Sequence, residues 1–299
     1  MRAAVLIASS LVFAWPAGAQ TPPSAAPIIQ ATPPIVKLLS GGAEPRRPMR
    51  FKLAKGAKET VDLTMTMSVS MDVPDLGPQS IDTPPLTMSM DLAVTDVTPG
   101  GDIVLSLVIT GAAMEGAQIP AGIMDPLKGL SAVMTISDRG VVKAVQFDES
   151  KMLDPATKKM MQASGFERMS APMPDEPVGV GATWEVVQKI DSGGMSLDQK
   201  AIYEVVAMDA SSTTLSVTLE QEAGPQQLAA PGLPPEIQAS LVGLKGSGSG
   251  KLTLRDGSLM LDGDLAIKSE VTMDMQMAGQ SQRMTTATAV KLTLAPRKR

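Results

Sequence analysis

The 299-residue sequence contains no cysteine and no histidine. Without cysteine there can be no disulfides, no lipid attachment through a cysteine beside a signal cleavage site, and no thiolate metal site. Without histidine, Ser-His-Asp and Cys-His catalysis are excluded, as are imidazole metal ligands; the two absences together exclude haem attachment. Any enzyme built on this chain would have to work with carboxylates, Lys, Ser or Tyr203. Gly246-Ser247-Gly248-Ser249-Gly250 has the spelling of a nucleophile elbow, but it has no strand-to-helix setting and no histidine to serve it. Aromatics are also scarce. Beyond residue 19 only Phe51, Phe147, Phe166, Trp184 and Tyr203 remain. Transmembrane barrels carry aromatic girdles at both interfaces, so this scarcity argues against one. No apolar run is long enough to cross a bilayer as a helix, and the chain is expected not to be an integral membrane protein.

Residues 1–19 are read as a secretory signal, with Arg2 as the positive start, Ala3 to Trp15 as the apolar run, and Ala17-Gly18-Ala19 as the cleavage site. An apolar run of about 13 residues is too short for a span. Removing the signal takes away Arg2, leaving 25 Lys+Arg against 31 Asp+Glu, a formal charge of −6 (25 − 31). That balance favours solubility and is a poor match for nucleic acid. The expected location is the periplasm or the exterior. Residues 20–48 contain Pro22, Pro23, Pro27, Pro33, Pro34, Pro45 and Pro48 with Ala, Ser and Gly, a composition expected to form a disordered tether. A β-rich domain is expected over 49–296, and Arg297-Lys298-Arg299 reads as a solvated basic tail.

Within the domain the chain alternates with a period of two. Val61, Leu63, Met65, Met67, Val69, Met71 and Val73 fall on one face, and Thr and Ser with Asp62 and Asp72 on the other. Leu86 to Val94 repeats the pattern, and Pro99-Gly100-Gly101 turns it into Ile103, Leu105, Leu107 and Ile109. Asp138-Arg139-Gly140 joins two short strands as a hairpin. Further strands are expected at Trp184–Ile190, Met195–Ala207, Thr213–Gln221, Leu244–Arg255 and Met284–Leu294. Leu259 to Met277 reads as one long strand, interrupted on its apolar face by Ser269 and bent at Gly263.

Two or three short helices are expected: one from Asp154 to residue 164 before Gly165, one over Pro235–Val242 closed by Gly243, and a turn within Ile119–Lys128. The halves correspond at a nearly fixed offset. Val97, Leu105-Ser106-Leu107 and Gly129-Leu130 answer Ala207, Leu215-Ser216-Val217 and Gly243-Leu244, giving pseudo-repeats over about 50–165 and 177–296. The fold expected is a single strongly curved antiparallel sheet of about eleven strands, an open barrel or half-barrel with a twofold internal repeat.

Methionine is abundant, with 22 in the chain. Met65, Met67, Met71, Met88, Met90, Met273, Met275 and Met277 lie on the apolar faces of three strands. Flexible, polarisable Met side chains either fill a core or line an adaptable apolar surface, and thioether ligation of Cu(I) is a third use. Gly246, Gly248 and Gly250 share a side with Leu244, Leu252 and Leu254, so an inner face there is stripped of side chains. A helix, Trp184 or a ligand could lie in that space. Trp184 itself opens a strand after Pro177-Val178-Gly179-Val180-Gly181-Ala182-Thr183 and serves either as a core anchor or as a ligand contact.

The Pro177–Trp184 stretch follows a Pro- and acid-rich lead and the hairpin Ile136-Ser137-Asp138-Arg139-Gly140-Val141-Val142. In these features the chain resembles a widespread family of secreted bacterial proteins and lipoproteins of unknown function, over roughly residues 50–296. The missing lipidation cysteine departs from the lipoprotein members. The expected architecture is similar to that of periplasmic lipoprotein carriers. Neither resemblance brings catalytic residues, a metal or a cofactor. The function expected is non-enzymatic binding of a lipid or other apolar ligand in a Met-lined concave sheet. A structural or assembly protein of the cell envelope, with a filled core and a protein partner, is the alternative.

Overall fold

The computed structural model describes residues 28–30, 32–73, 77–116, 124–148, 171–192, 195–228, 238–277 and 280–297. The signal at 1–19, the start of the tether and the helix expected over 154–164 lie outside them. The described chain is almost wholly β. Its strands are β1 (Ile28–Gln30), β2 (Ile35–Ser40), β3 (Lys58–Val73), β4 (Gly77–Val97), β5 (Ile103–Met114), β6 (Ser131–Ile136) and β7 (Val142–Phe147), then β8 (Thr183–Ser192), β9 (Met195–Met208), β10 (Ser212–Ala223), β11 (Gln226–Leu228), β12 (Gln238–Arg255), β13 (Asp262–Met277) and β14 (Gln280–Pro296). One 3₁₀ turn, Asp125–Leu127, is the only helical element among the described residues. It falls inside the stretch where a turn is expected, with a proline near its start.

All the strands belong to one antiparallel sheet of fourteen, in the order β1-β7-β6-β5-β4-β3-β14-β13-β12-β10-β9-β8-β2, with β11 beside the start of β12. The order contains two five-strand meanders, β7-β6-β5-β4-β3 and β13-β12-β10-β9-β8, each traversed in the same sense, with β14 between them. The corresponding Leu105-Ser106-Leu107 and Leu215-Ser216-Val217 occupy β5 and β10, the third strand of each meander. The far edges of the path are β1 and β2, separated by residues 31–34. Five residue steps reach at most about 18 Å, so the two edges are drawn toward one N-terminal segment and the sheet is curled.

Four expectations are corrected. Residues 35–40 are not free tether: β2 pairs with β8, from Ile35 opposite Val187 to Ser40 opposite Thr183. The next residues clasp the Pro177–Trp184 stretch, with Ala43 N donating to Val180 O (2.8 Å) and Arg47 N to Val178 O (2.9 Å). Proline there limits hydrogen bonding without preventing it, because strand edges and turns accept Pro. The helix expected at Pro235–Val242 is, from Gln238 on, the start of β12, because Ala239 and Leu241 pair with Met275 and Met273 of β13. Tertiary pairing overrides the local helical spacing. Arg297 is no loose tail: its guanidinium holds the Asp62 carboxylate at 2.8 and 3.0 Å, and its N–H donates to Thr60 O. The long run starting at Leu259 is likewise divided. Leu259, Met260 and Leu261 are buried in a loop that Glu59 caps, and β13 begins at Asp262.

The alternation sorts side chains to two faces, and the apolar face turns inward. The main core draws on both meanders: Val61, Leu63, Met90, Leu92, Leu105, Leu107, Val145 and Phe147 from one, Trp184, Val205, Leu215 and Val217 from the other. Residues that carry the chain past the lower end fill it from below, with Met49, Phe51, Ala171, Met173, Val178 and Ala182 all buried. β3, β4, β12, β13 and β14, at 16–21 residues, extend well beyond the six-residue β6 and β7. At the other end a smaller cluster forms from Ile190, Leu197, Ala223, Leu241 and Leu244.

Candidate functional site

The methionines divide by height. Met90 is buried in the core, opposite Val61 on one side and Ile109 on the other. Met65, Met67, Met71 and Met88 on β3 and β4 are half-buried, as are Met273 and Met275 on β13. Met65, Met67 and Met71 lie opposite Leu292, Val290 and Thr286 of β14, and Met273 lies opposite Met284. A single strand, β14, separates the two methionine sets. Met277, at the end of β13, pairs in register with Gln280.

Trp184 is fully buried, so of its two expected roles the ligand contact is corrected and the core anchor stands. It stacks on Tyr203 with ring centroids 5.4 Å apart and planes 10° from parallel. Its Nε1–H donates to Pro172 O at 2.9 Å, giving a buried indole the partner it needs. Burial pushes the Tyr203 hydroxyl up to about 12, so the phenol stays neutral. The pair is a core anchor.

The three glycines leave the inner face bare, and the flanking strands crowd in beside them. A Cβ on Gly248 would meet Leu219 Cγ at 3.0 Å and Ile267 Cγ1 at 3.1 Å. One on Gly250 would collide with the Asp264 carbonyl, and one on Gly246 would touch the Gln221 side chain at 3.0 Å. Neighbouring side chains and backbone thus crowd each Cβ position, while all three glycines keep partial exposure. The glycines let β12 approach β10 and β13 closely where the sheet curls.

Composition and alternation did not single out a row of neutral polar side chains on the same inner face. Gln188 lies opposite Gln199, Gln199 opposite Gln221, Gln221 opposite Gly246, Gly246 opposite Ser269, and Ser269 opposite Thr288. The row crosses six adjacent strands, about 24 Å at the usual strand spacing. The row below it is apolar: Val186, Ala201, Leu219, Ile267, Val290 and Met67 around Gly248. Above it lie Ile190, Leu197, Ala223, Leu244 and Val271 of the smaller cluster. The belt therefore divides the two apolar clusters. Within it, Gln221 Nε2 donates to Gln199 Oε1 at 2.7 Å. The hydroxyl of Thr286, one row above Thr288, is buried with no hydrogen-bond partner among the described residues. The Ser269 interruption was visible in the sequence; its alignment with three glutamines was not.

Charges line the outer face. Lys200 and Glu185 pair at 2.8 Å, Arg255 and Asp262 at 2.9 Å, and Arg283 and Asp274 at 2.8 Å, each across neighbouring strands. Burial alone would raise the Asp62 carboxyl, but hydrogen bonds from Arg297 and Ser89 hold it below its ordinary value. An open pit of about 450 Å³ lies on this face, lined by Ser68, Ser70, Ala287, Ala289 and the exposed Lys245, Lys268 and Glu270. Among the described residues no group of three or more Asp or Glu could hold a metal ion, and no helix is long and apolar enough to cross a membrane.

No protein-family model and no curated protein matches the chain. Two engineered mutants of the Rh. blastica porin are similar among solved structures, at 8% and 9% identity, covering 80% of this chain and 100% of theirs. Both have a TM-score of 0.23, too low to carry an argument about fold or function.

Proposed function

We propose that this is a non-enzymatic extracytoplasmic protein that binds a lipid or lipid-like apolar ligand on the inner face of its curled sheet. One observation carries the reading: beyond the closed core the inner face carries apolar side chains that are only half-buried, at Met65, Met67, Val69, Met71, Met273 and Met275. A protein that needed only a core would gain little from apolar side chains left half in water, whereas methionine can repack around varied hydrocarbon shapes. The export signal read at 1–19 would place that face outside the cytoplasm. The absence of His and Cys leaves the chain without the usual nucleophile and base pairs.

The test is native mass spectrometry of the mature protein purified from its own host, followed by uptake of an apolar fluorescent probe. Co-purified lipid and saturable probe uptake are expected. A double variant Met67→Asp/Met71→Asp should keep the wild-type thermal midpoint to within a few degrees and lose most of the uptake. A clean apo mass with no probe uptake overturns the reading.

The envelope-assembly alternative is favoured by a different observation. β2 ends the strand path, with Ile35 at 70% and Leu39 at 50% exposure beside its unpaired edge, where a partner could add a strand. A stable partner protein recovered in the same purification, with no bound lipid, supports it.

A further inference from the structure

We propose that the neutral polar belt Gln188–Gln199–Gln221–Ser269–Thr288 is a binding site for the uncharged hydrogen-bonding linkage of an acyl lipid, an ester or an amide. The hydrocarbon would lie along the apolar rows on either side. The proposal rests on the apolar-face reading above and adds the chemistry of the ligand at one depth.

The belt's five side chains are half-buried, so their polar groups still reach solvent or a bound molecule, and they share a single bond, Gln221 to Gln199. Each carboxamide offers two N–H donors and one acceptor oxygen, and each hydroxyl offers one donor and two lone pairs. The Gln188 carboxamide and the Ser269 and Thr288 hydroxyls make no hydrogen bond among the described residues, so these three do not serve to tie strands together. It presents donors and acceptors to whatever lies on the inner face. Gly246, in the middle, carries no side chain of its own, and the Gln221 side chain lies against it.

The absence of charge on the row narrows the ligand. Next to the belt positions stand Lys189, Lys200, Glu220, Lys245, Lys268 and Glu270, all exposed on the opposite, outer face. No Lys or Arg stands in the belt to pair a phosphate or carboxylate. A carbonyl flanked by an ester oxygen or an amide N–H fits instead: the carboxamide N–H groups and hydroxyls donate to the carbonyl, and a glutamine oxygen accepts from an amide or a neighbouring hydroxyl. Apolar rows on both sides suit a molecule whose polar linkage is interior to its length rather than at its tip.

The experiment uses the mature protein loaded with an apolar fluorescent probe and two competitors of equal chain length, hexyl hexanoate and tridecane. The ester should displace the probe more strongly than the alkane. Each carboxamide bond is worth roughly three- to tenfold in affinity. Gln199→Leu/Gln221→Leu should shrink the preference for the ester by about tenfold or more and leave the alkane unchanged or slightly improved. Gln188→Leu, which removes no bond within the protein, is the second variant and should shrink the preference by a few-fold with an unchanged thermal midpoint. Equal displacement by ester and alkane in the wild type, or a preference that survives both folded variants, overturns the belt assignment and leaves the apolar-face reading standing. Displacement by neither competitor, with no probe uptake, overturns both.

Discussion

At the scale of single residues, β12 shows most directly how space is allotted. Gly246, Gly248 and Gly250 occupy alternate inward positions, yet each would meet a different obstacle on gaining a methyl group. At Gly246 the nearest obstacle is the Gln221 side chain, at 3.0 Å or more; at Gly250 it is the backbone carbonyl of Asp264, much closer and unable to step aside. Gly246→Ala should therefore be tolerated within about 1 kcal/mol, whereas Gly250→Ala should cost about 3 kcal/mol or more in denaturant unfolding. Gly248→Leu, facing Leu219 and Ile267 at 3.0–3.1 Å, should also destabilise strongly. Near-equal stability for Gly246→Ala and Gly250→Ala would contradict the close approach of β13 to Gly250. Gly263 makes a similar demand. Its φ of +148° and the Lys251 carbonyl above it leave no room for a side chain at the position where the sequence suggests a bend.

At the scale of elements, the N-terminal segment has the largest consequence. A proline-rich composition reads as tether, but β2 covers the edge of β8, and Val36 and Leu38 pack against the main core. Arg47 reaches across to Ala210 O, Ser212 O and Thr213 Oγ1, binding the segment to the β9–β10 turn. Two half-buried aliphatic side chains and an unprotected strand edge amount to ~4 kcal/mol. Deleting residues 20–40 should lower the thermal midpoint by roughly 10 °C in a domain of this size, and should promote association through the bared β8 edge. A shift of less than 2 °C, read by circular dichroism, would return the segment to the status of a tether.

At the scale of the whole molecule, the two meanders share one core, and neither closes a hydrophobic interior alone. Phe147 of β7 and Trp184 of β8 belong to the same cluster although they lie at opposite ends of the strand path. β14 lies between the meanders, pairing with β3 along one side and β13 along the other. Unfolding should therefore be a single transition. Trp184 fluorescence, which reports the second meander, should coincide with far-ultraviolet circular dichroism, which reports both. A fluorescence midpoint separated from the dichroism midpoint would show that the halves are independent.

By itself the sequence determined the class of fold, because two-residue alternation is a local property written into each segment. The inward side of β3, β5, β10 and β13 was legible for that reason, and so was the break that Ser269 makes. What alternation cannot carry is register. Gln188, Gln199, Gln221, Ser269 and Thr288 each interrupt a different apolar run, and nothing local says that they stand at one height. That alignment follows from hairpin lengths and from the register shift between Thr214 and Leu215, where β10 meets β9. Elsewhere in the sheet the bonded residues are as far apart as Thr60 and Arg297. The same long-range pairing turned a helical spacing at 238–242 into strand, and a proline-rich lead at 35–40 into the sheet's edge. Only the tertiary structure could decide these, because strand pairing draws its energy from partners distant in the chain.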